Sequence, residues 1–188
     1  EIGALDGKKH SETYKLFENF GWHRILVEAF PQYRDGLKLN SPDAFSFNAV
    51  CCSSSRYVHV INNPNQESLG GILEFMSEAF LMRYHKKIYR LPAVNRTTHP
   101  QIVRVPCIPL SSMISQTKVS HINFFMLDVE GAEINVLNSV NANKLDLIVP
   151  YFIDTITRYN TDFENQIEAI IQKEYTTIHS SVYWKFRK

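Results

Sequence analysis

A seven-residue stretch, Glu1-Ile2-Gly3-Ala4-Leu5-Asp6-Gly7, constrains this chain more than any other. It reads as the end of a β-strand turning sharply into a helix. Gly3 and Gly7 bring the backbone freedom and close approach that such a turn demands. In open α/β sheets the crevice beyond the carboxyl end of the first strand is where nucleotide-like ligands sit. The glycine spacing is G-x-x-x-G rather than the dinucleotide G-x-G-x-x-G, and acids frame the turn. That charge serves phosphates poorly. It serves a ligand with an amino group, a ribose and a positively charged sulfur, which describes S-adenosylmethionine.

The rest of the chain alternates strand and helix patterns. Ser11 is a good helix cap; Tyr14, Leu16, Phe17 and Phe20 form an apolar stripe, and Gly21 ends it. Ile25-Leu26-Val27 reads as a short strand finishing in Glu28. Pro31 opens a second helix that breaks at Asn40-Ser41-Pro42-Asp43, and a third strand runs through 44–50. Strand, helix, strand, helix, strand with short links predicts a mostly parallel, doubly wound sheet. Residues 56–61 alternate as a further strand. Residues 62–100 change character and read as an insertion within a single domain, 1–188. Strands are predicted again at 102–108, 122–128 and 145–149, the last stopped by Pro150. A helix is marked by Phe163, Ile167, Ile170 and Ile171, and an antiparallel hairpin at 175–186 closes the chain.

Three places carry candidate chemistry. Glu28 ends the second strand 21 residues beyond Gly7, where a ribose-binding carboxylate belongs. Asn48 ends the third strand, where a side-chain amide could meet an adenine edge; Asn is also simply a good turn residue. Asp128 and Glu130 are two apart at the end of the most strand-like run, so an extended chain points both to one side. Such a pair could deprotonate a hydroxyl, hold a metal, or orient a methionine amino group. Capping of the following helix accounts for Glu133, but poorly for Asp128, which still sits in the strand.

Composition excludes more than it selects. A chain of 188 residues, 44% hydrophobic and 21% charged, is one ordinary globular domain that needs no staples. A net charge of +1 implies no nucleic-acid partner. No apolar run approaches the ~18 residues of a membrane span. Cys51, Cys52 and Cys107 make no disulfide framework and are expected to be reduced thiols. A cytoplasmic location is slightly favoured, with an upstream anchor or signal left open. Asn95-Arg96-Thr97 matches a glycosylation sequon, a pattern short enough to recur by chance. The seven histidines show no metal-ligand spacing, so no metal site is assigned.

Taken together, EIGALDG with Ser11 and Thr13 after it, GWHRILVEAFP at 21–31, FNAVC at 47–51, VPCIPLSS at 105–112 and SHINFFMLDVEGAEINVL at 120–137 resemble the FkbM-type methyltransferases. The resemblance implies a Rossmann-like class I methyltransferase fold, S-adenosylmethionine as cofactor and O-methylation of a hydroxyl on a sugar or small natural product. It also implies cofactor contacts at Glu1, Gly3, Asp6, Gly7 and Glu28, and active-site acids at Asp128 and Glu130. The full candidate set is therefore Asp128 and Glu130 for catalysis, with His10 a remote alternative base. For the cofactor it is Glu1, Gly3, Asp6, Gly7, Glu28, Asn48 and Asp128. Two positions depart from the family pattern: Glu12 stands where Asn is usual, and Val149-Pro150-Tyr151 stands where a strand often ends in an acid. The expected partner is a small-molecule or glycan acceptor, with residues 62–100 as its cap. The alternative is a non-catalytic binding or trafficking module that retains the fold.

Overall fold

The structure is a computed structural model that describes residues 1–62, 69–129, 131–139, 146–147, 151–154, 165–166, 169, 176–178 and 184–187. In chain order its elements are α1 (Tyr14–Phe20), β1 (Ile25–Val27), α2 (Arg34–Asn40), β2 (Phe45–Phe47), β3 (Val50–Cys51) and β4 (Arg56–Ile61). Then follow β5 (Gly71–Ile72), α3 (Glu78–Tyr84), α4 (Lys86–Tyr89), β6 (Ile102–Ile108), α5 (Leu110–Thr117), β7 (His121–Ile122) and β8 (Phe125–Asp128). The last are α6 (Glu133–Asn138), β9 (Asp146–Leu147), β10 (Tyr151–Asp154), β11 (Thr176–Ile178) and β12 (Trp184–Arg187). The architecture is mixed α/β.

Ile2 is the hinge of the main sheet. It bridges Val27 on one side and Leu127 on the other, both in parallel. Beyond β1 lies β2, also parallel. Beyond β8 lies β10, parallel, and then β12 and β11, each antiparallel to its neighbour. The last pairing is the C-terminal hairpin that the alternation at 175–186 predicts. Buried Ile2, Val27, Phe125 and Leu127 pack with Leu110 and Met113 of α5 and Val136 and Leu137 of α6.

The sheet is not one continuous doubly wound layer. A second sheet, ordered β3-β6-β4-β5, is mixed: β3 runs parallel to β6, while β4 pairs antiparallel with both β6 and β5. The predicted strand at 44–50 is therefore two strands in two sheets. Asn48 divides them. Its side-chain amide donates to the carbonyls of Glu28 and Phe30 at 2.8 and 3.0 Å, which turns the chain out of the ladder. Of the predicted strand at 145–149, residues 146–147 lie among the described residues and form β9. Residues 146–147 pair with β7, and the strand beside β8 is 151–154. Pro150, with no N–H for a ladder, falls between the two. β10 thus ends in an acid after all, with Asp154 in register with Asp128. Of the helix expected around 163–171, only 165–166 and 169 lie among the described residues, and these are helical.

The cysteines also differ from expectation. Cys52 and Cys107 form a disulfide, with Cα atoms 5.5 Å apart, that ties the end of β3 to β6; Cys51 is free and buried. Cys51 and Cys52 are adjacent on extended chain and so face opposite ways, a pairing rule that a cysteine count does not reveal. Within 62–100, α3 and α4 seat Leu81 and Ile88 against Ile61, so the segment adds to the core. Among the described residues no helix is long and apolar enough to cross a membrane.

Gly3 has φ +89°, and a Cβ there would lie 1.9 Å from the carbonyl oxygen of Asp128. That atom is sheet backbone and cannot swing aside. Gly3→Ala is expected to cost at least about 3 kcal/mol, read as a lowered denaturant midpoint. A variant as stable as the parent would show that the strand ends are not packed this closely.

Candidate functional site

A cavity of about 640 Å³ opens at the carboxyl ends of β1 and β8, within the range for small-molecule sites. The 3–10 turn closes one side with Gly3, Leu5, Lys9 and His10. Glu28, Ala29 and Phe30 follow β1, and Asp128 and Val129 follow β8. Ala49, Val50, Val60, Ile72, Ala132 and Val136 make the remaining wall apolar.

Glu28 is the centre of this arrangement. Its carboxylate is 3% exposed and is gripped by backbone at both ends. Oε2 accepts from the Leu5 N–H at 2.8 Å, and Oε1 from the Phe30 N–H at 2.8 Å. Leu5 holds φ +47°, a left-handed conformation that costs a non-glycine residue about 1 kcal/mol or more. Each carboxylate oxygen can accept more than one bond, so both keep capacity for a ligand. Burial pushes the Glu28 carboxyl up to about 7. The N–H groups of Phe30, Leu5 and Ala29 pull it back, and the nearby Asp128 charge raises it further.

The other sequence candidates divide. Gly3 and Asp128 join Glu28 at the cavity wall, as does His10, whose backbone is also left-handed at φ +58°. Glu1, Asp6, Gly7 and Asn48 do not line it. Glu1 turns inward to accept from Ser11, Thr13 and Arg24 at 2.7, 2.5 and 3.0 Å. Asp6 caps the turn by accepting from the Lys8 and Lys9 N–H groups. Gly7 (φ +77°) packs beneath Leu26, Leu37 and Ser41. Asn48 spends its amide on the loop that carries Glu28. All four shape the site from behind. Glu130 lies outside the described residues.

Two residues that sequence reasoning undervalued are decisive here. Arg24 is 5% exposed and uses its whole guanidinium. Nε donates to Thr13, Nη1 to the Gly7 carbonyl and Ser41, and Nη2 to Glu1 and Ser11, at 2.7–3.0 Å. An arginine just before an apolar strand was the signal. Glu133, expected as a helix-capping acid, is fully buried in the first turn of α6. Its Oε1 accepts from the Gly131 N–H at 3.2 Å. Burial raises it to about 7, with the Asp128 charge a lesser contribution. Among the described residues no three His, Cys, Asp or Glu side chains cluster as a metal site.

Glu28 and Glu133 both hold their protons more tightly folded than unfolded. Each therefore stabilises the fold below about pH 4.5, and that contribution is lost as pH rises through about 7. At 1.36 kcal/mol per pKa unit the loss is roughly 3 kcal/mol per acid. Unfolding midpoints are expected to fall between pH 5 and pH 8, and Glu28→Gln to flatten part of that fall. An unchanged slope in Glu28→Gln would mean that Glu28 ionises as freely as an exposed acid.

No curated protein and no solved structure matches the chain. A family model described as the methyltransferase FkbM domain matches residues 1–176. The turn at Gly3, the acid at the end of β1 and the acid at the end of β8 all lie within that match, and the chain belongs to the FkbM methyltransferase family.

Proposed function

We propose that this chain is an S-adenosylmethionine-dependent O-methyltransferase acting on a hydroxyl of a sugar or small natural product, with a Rossmann-like class I sheet. The observation that carries the reading is Glu28: a buried carboxylate held by two backbone N–H groups at the wall of a cavity that Gly3 and Asp128 share. The strand order β2-β1-Ile2-β8-β10-β12-β11 supports the fold assignment. When bound, S-adenosylmethionine supplies an electrophilic methyl group on a sulfonium.

The residues present fit that group. Glu28 accepts from two neighbouring ribose hydroxyls through the lone pairs that Leu5 and Phe30 leave over. Gly3, without a Cβ, lets the first turn pack against the Asp128 backbone, so that both line the cavity. The apolar wall of Ala49, Val50, Val60 and Ile72 excludes water, which strengthens every polar contact inside. A neutral alcohol is a weak nucleophile, so Asp128 takes its proton. Gly70, Gly71 and Ile72 bring the 62–100 segment to the cavity edge and cap the acceptor; the basic stretch 83–90 does not line the cavity. His85 of that stretch is buried, with Nε2 on the Leu69 carbonyl at 2.8 Å.

Ribose hydroxyls bind the ionised form of Glu28. Affinity for S-adenosylhomocysteine is therefore expected to rise about tenfold from pH 6 to pH 8, following the ionised fraction of a group with pKa about 7. Glu28→Gln should lose that dependence and bind at least tenfold more weakly, since hydrogen bonds to charge contribute about 1.5–3 kcal/mol each. Calorimetry at the two pH values checks this; equal affinity in the variant removes the ribose assignment.

Asp128→Asn is expected to keep S-adenosylhomocysteine binding and to lose roughly 10²–10⁴ in methylation rate, measured with an acceptor found by screening sugars and phenols. Full activity in this variant would transfer the base to another group. Cofactor binding with no turnover on any acceptor would favour the non-catalytic module.

A further inference from the structure

We propose that Asn95 carries an N-linked glycan and that the domain matures in an oxidising compartment. Two independent features of the molecule lead there, and neither rests on the methyltransferase reading.

The first is the Cys52–Cys107 bond. The two Cα atoms are 5.5 Å apart, in the middle of the range a disulfide needs, and both residues are wholly shielded from solvent. Such bonds persist in secretory and extracellular spaces and are rare where glutathione keeps thiols reduced. The third cysteine does not scramble the pair. Cys51 faces the cavity, and burial pushes its thiol up to about 12, so it supplies almost no thiolate for exchange.

The second is the setting of Asn95-Arg96-Thr97. These residues form part of a 3₁₀ segment, Ala93–Thr98. Arg96 turns inward: Nη1 and Nη2 reach the two carboxylate oxygens of Glu78 at 2.5 and 3.1 Å, and the guanidinium lies over the Tyr89 ring. Anchoring the middle residue turns its neighbours out, and Asn95 and Thr97 are both exposed. Val94 beside them is 83% exposed, an apolar surface that a glycan would cover. No residue of 91–100 lines the cavity, so a glycan here leaves the site open.

The chemistry needs two co-reactants that such a compartment holds. An oligosaccharide on a polyprenyl pyrophosphate gives its anomeric carbon to Asn95 Nδ2. The new C–N bond replaces the anomeric C–O bond, the polyprenyl pyrophosphate leaves with the electron pair, and the amide nitrogen loses a proton. Cys52 and Cys107 together give up two electrons and two protons to a protein disulfide, which becomes a dithiol. One consequence follows for the proposed cofactor: S-adenosylmethionine has to be carried across the bounding membrane to reach this cavity.

The test is to express the full-length gene product in a eukaryotic cell with no added leader. Its peptides are then read by mass spectrometry before and after peptide N-glycosidase, without reduction. The expected result is a glycopeptide at Asn95, converted to Asp by the enzyme, and a cross-linked Cys52–Cys107 peptide. Thr97→Ser should keep occupancy, whereas Thr97→Ala and Asn95→Gln should abolish it. A bare Asn95 in the parent protein overturns the proposal, whatever the state of the cysteines. So does recovery of Cys52 and Cys107 as free thiols.

Discussion

The buried guanidinium of Arg24 is the interaction on which the site depends. Its five N–H donors meet five oxygens: those of Thr13, Gly7, Ser41, Glu1 and Ser11. Those oxygens belong to the first turn, the approach to α1 and the end of α2. One side chain therefore joins three segments that share no ladder. Its charge is balanced by Glu1, and the rings of Tyr14 and Phe17 flank it at 5.7 and 6.0 Å. Losing one partner of such a buried pair leaves the other charge uncompensated, which is far more costly than losing a surface pair. Glu1 and Gly7, both anchored in this way, bracket Gly3 and Leu5, whose N–H holds Glu28.

The buried acids show the opposite economy. Among the described residues no cation pairs with Glu28 or Glu133, and Asp128 adds like charge to both. Backbone N–H groups hold the carboxylates where they are, at a cost to stability near neutral pH. Carboxyl groups with displaced pKa values cluster at functional sites. A fold chosen for stability alone would place apolar side chains there.

The second sheet gives the cavity its far wall. β4 and β5 pair antiparallel and bring Val60, Gly71 and Ile72 opposite Glu28. A Cβ at Gly70 would fall 2.4 Å from the Phe30 ring, so the segment after β4 packs directly on the loop that carries the acid. The disulfide ties β3 to β6 in this same sheet, and α3 and α4 pack against Ile61 at the end of β4. Residues 69–91 are thus a wall and a buttress at once.

Local patterns determined a good part of this protein by themselves. The glycine turn, the strand ending in Glu28, the run ending in Asp128 and the alternation at 56–61 were all legible. Each depends on residues close in the chain: φ freedom at Gly3, two-residue alternation, an acid where an apolar run stops. What only the tertiary structure decided involves partners far apart. Glu1 and Asn48 read as ligand contacts, and the structure shows Glu1 paired with Arg24 and Asn48 bonded to the Glu28–Phe30 loop. Cys52 looks like a free thiol until β6 lies alongside β3. Glu133 has the spacing of a surface acid, and the packing of α6 against the sheet buries it. Hydrogen-bond capacity and exposure are properties of the assembled neighbours, and no window along the chain contains them.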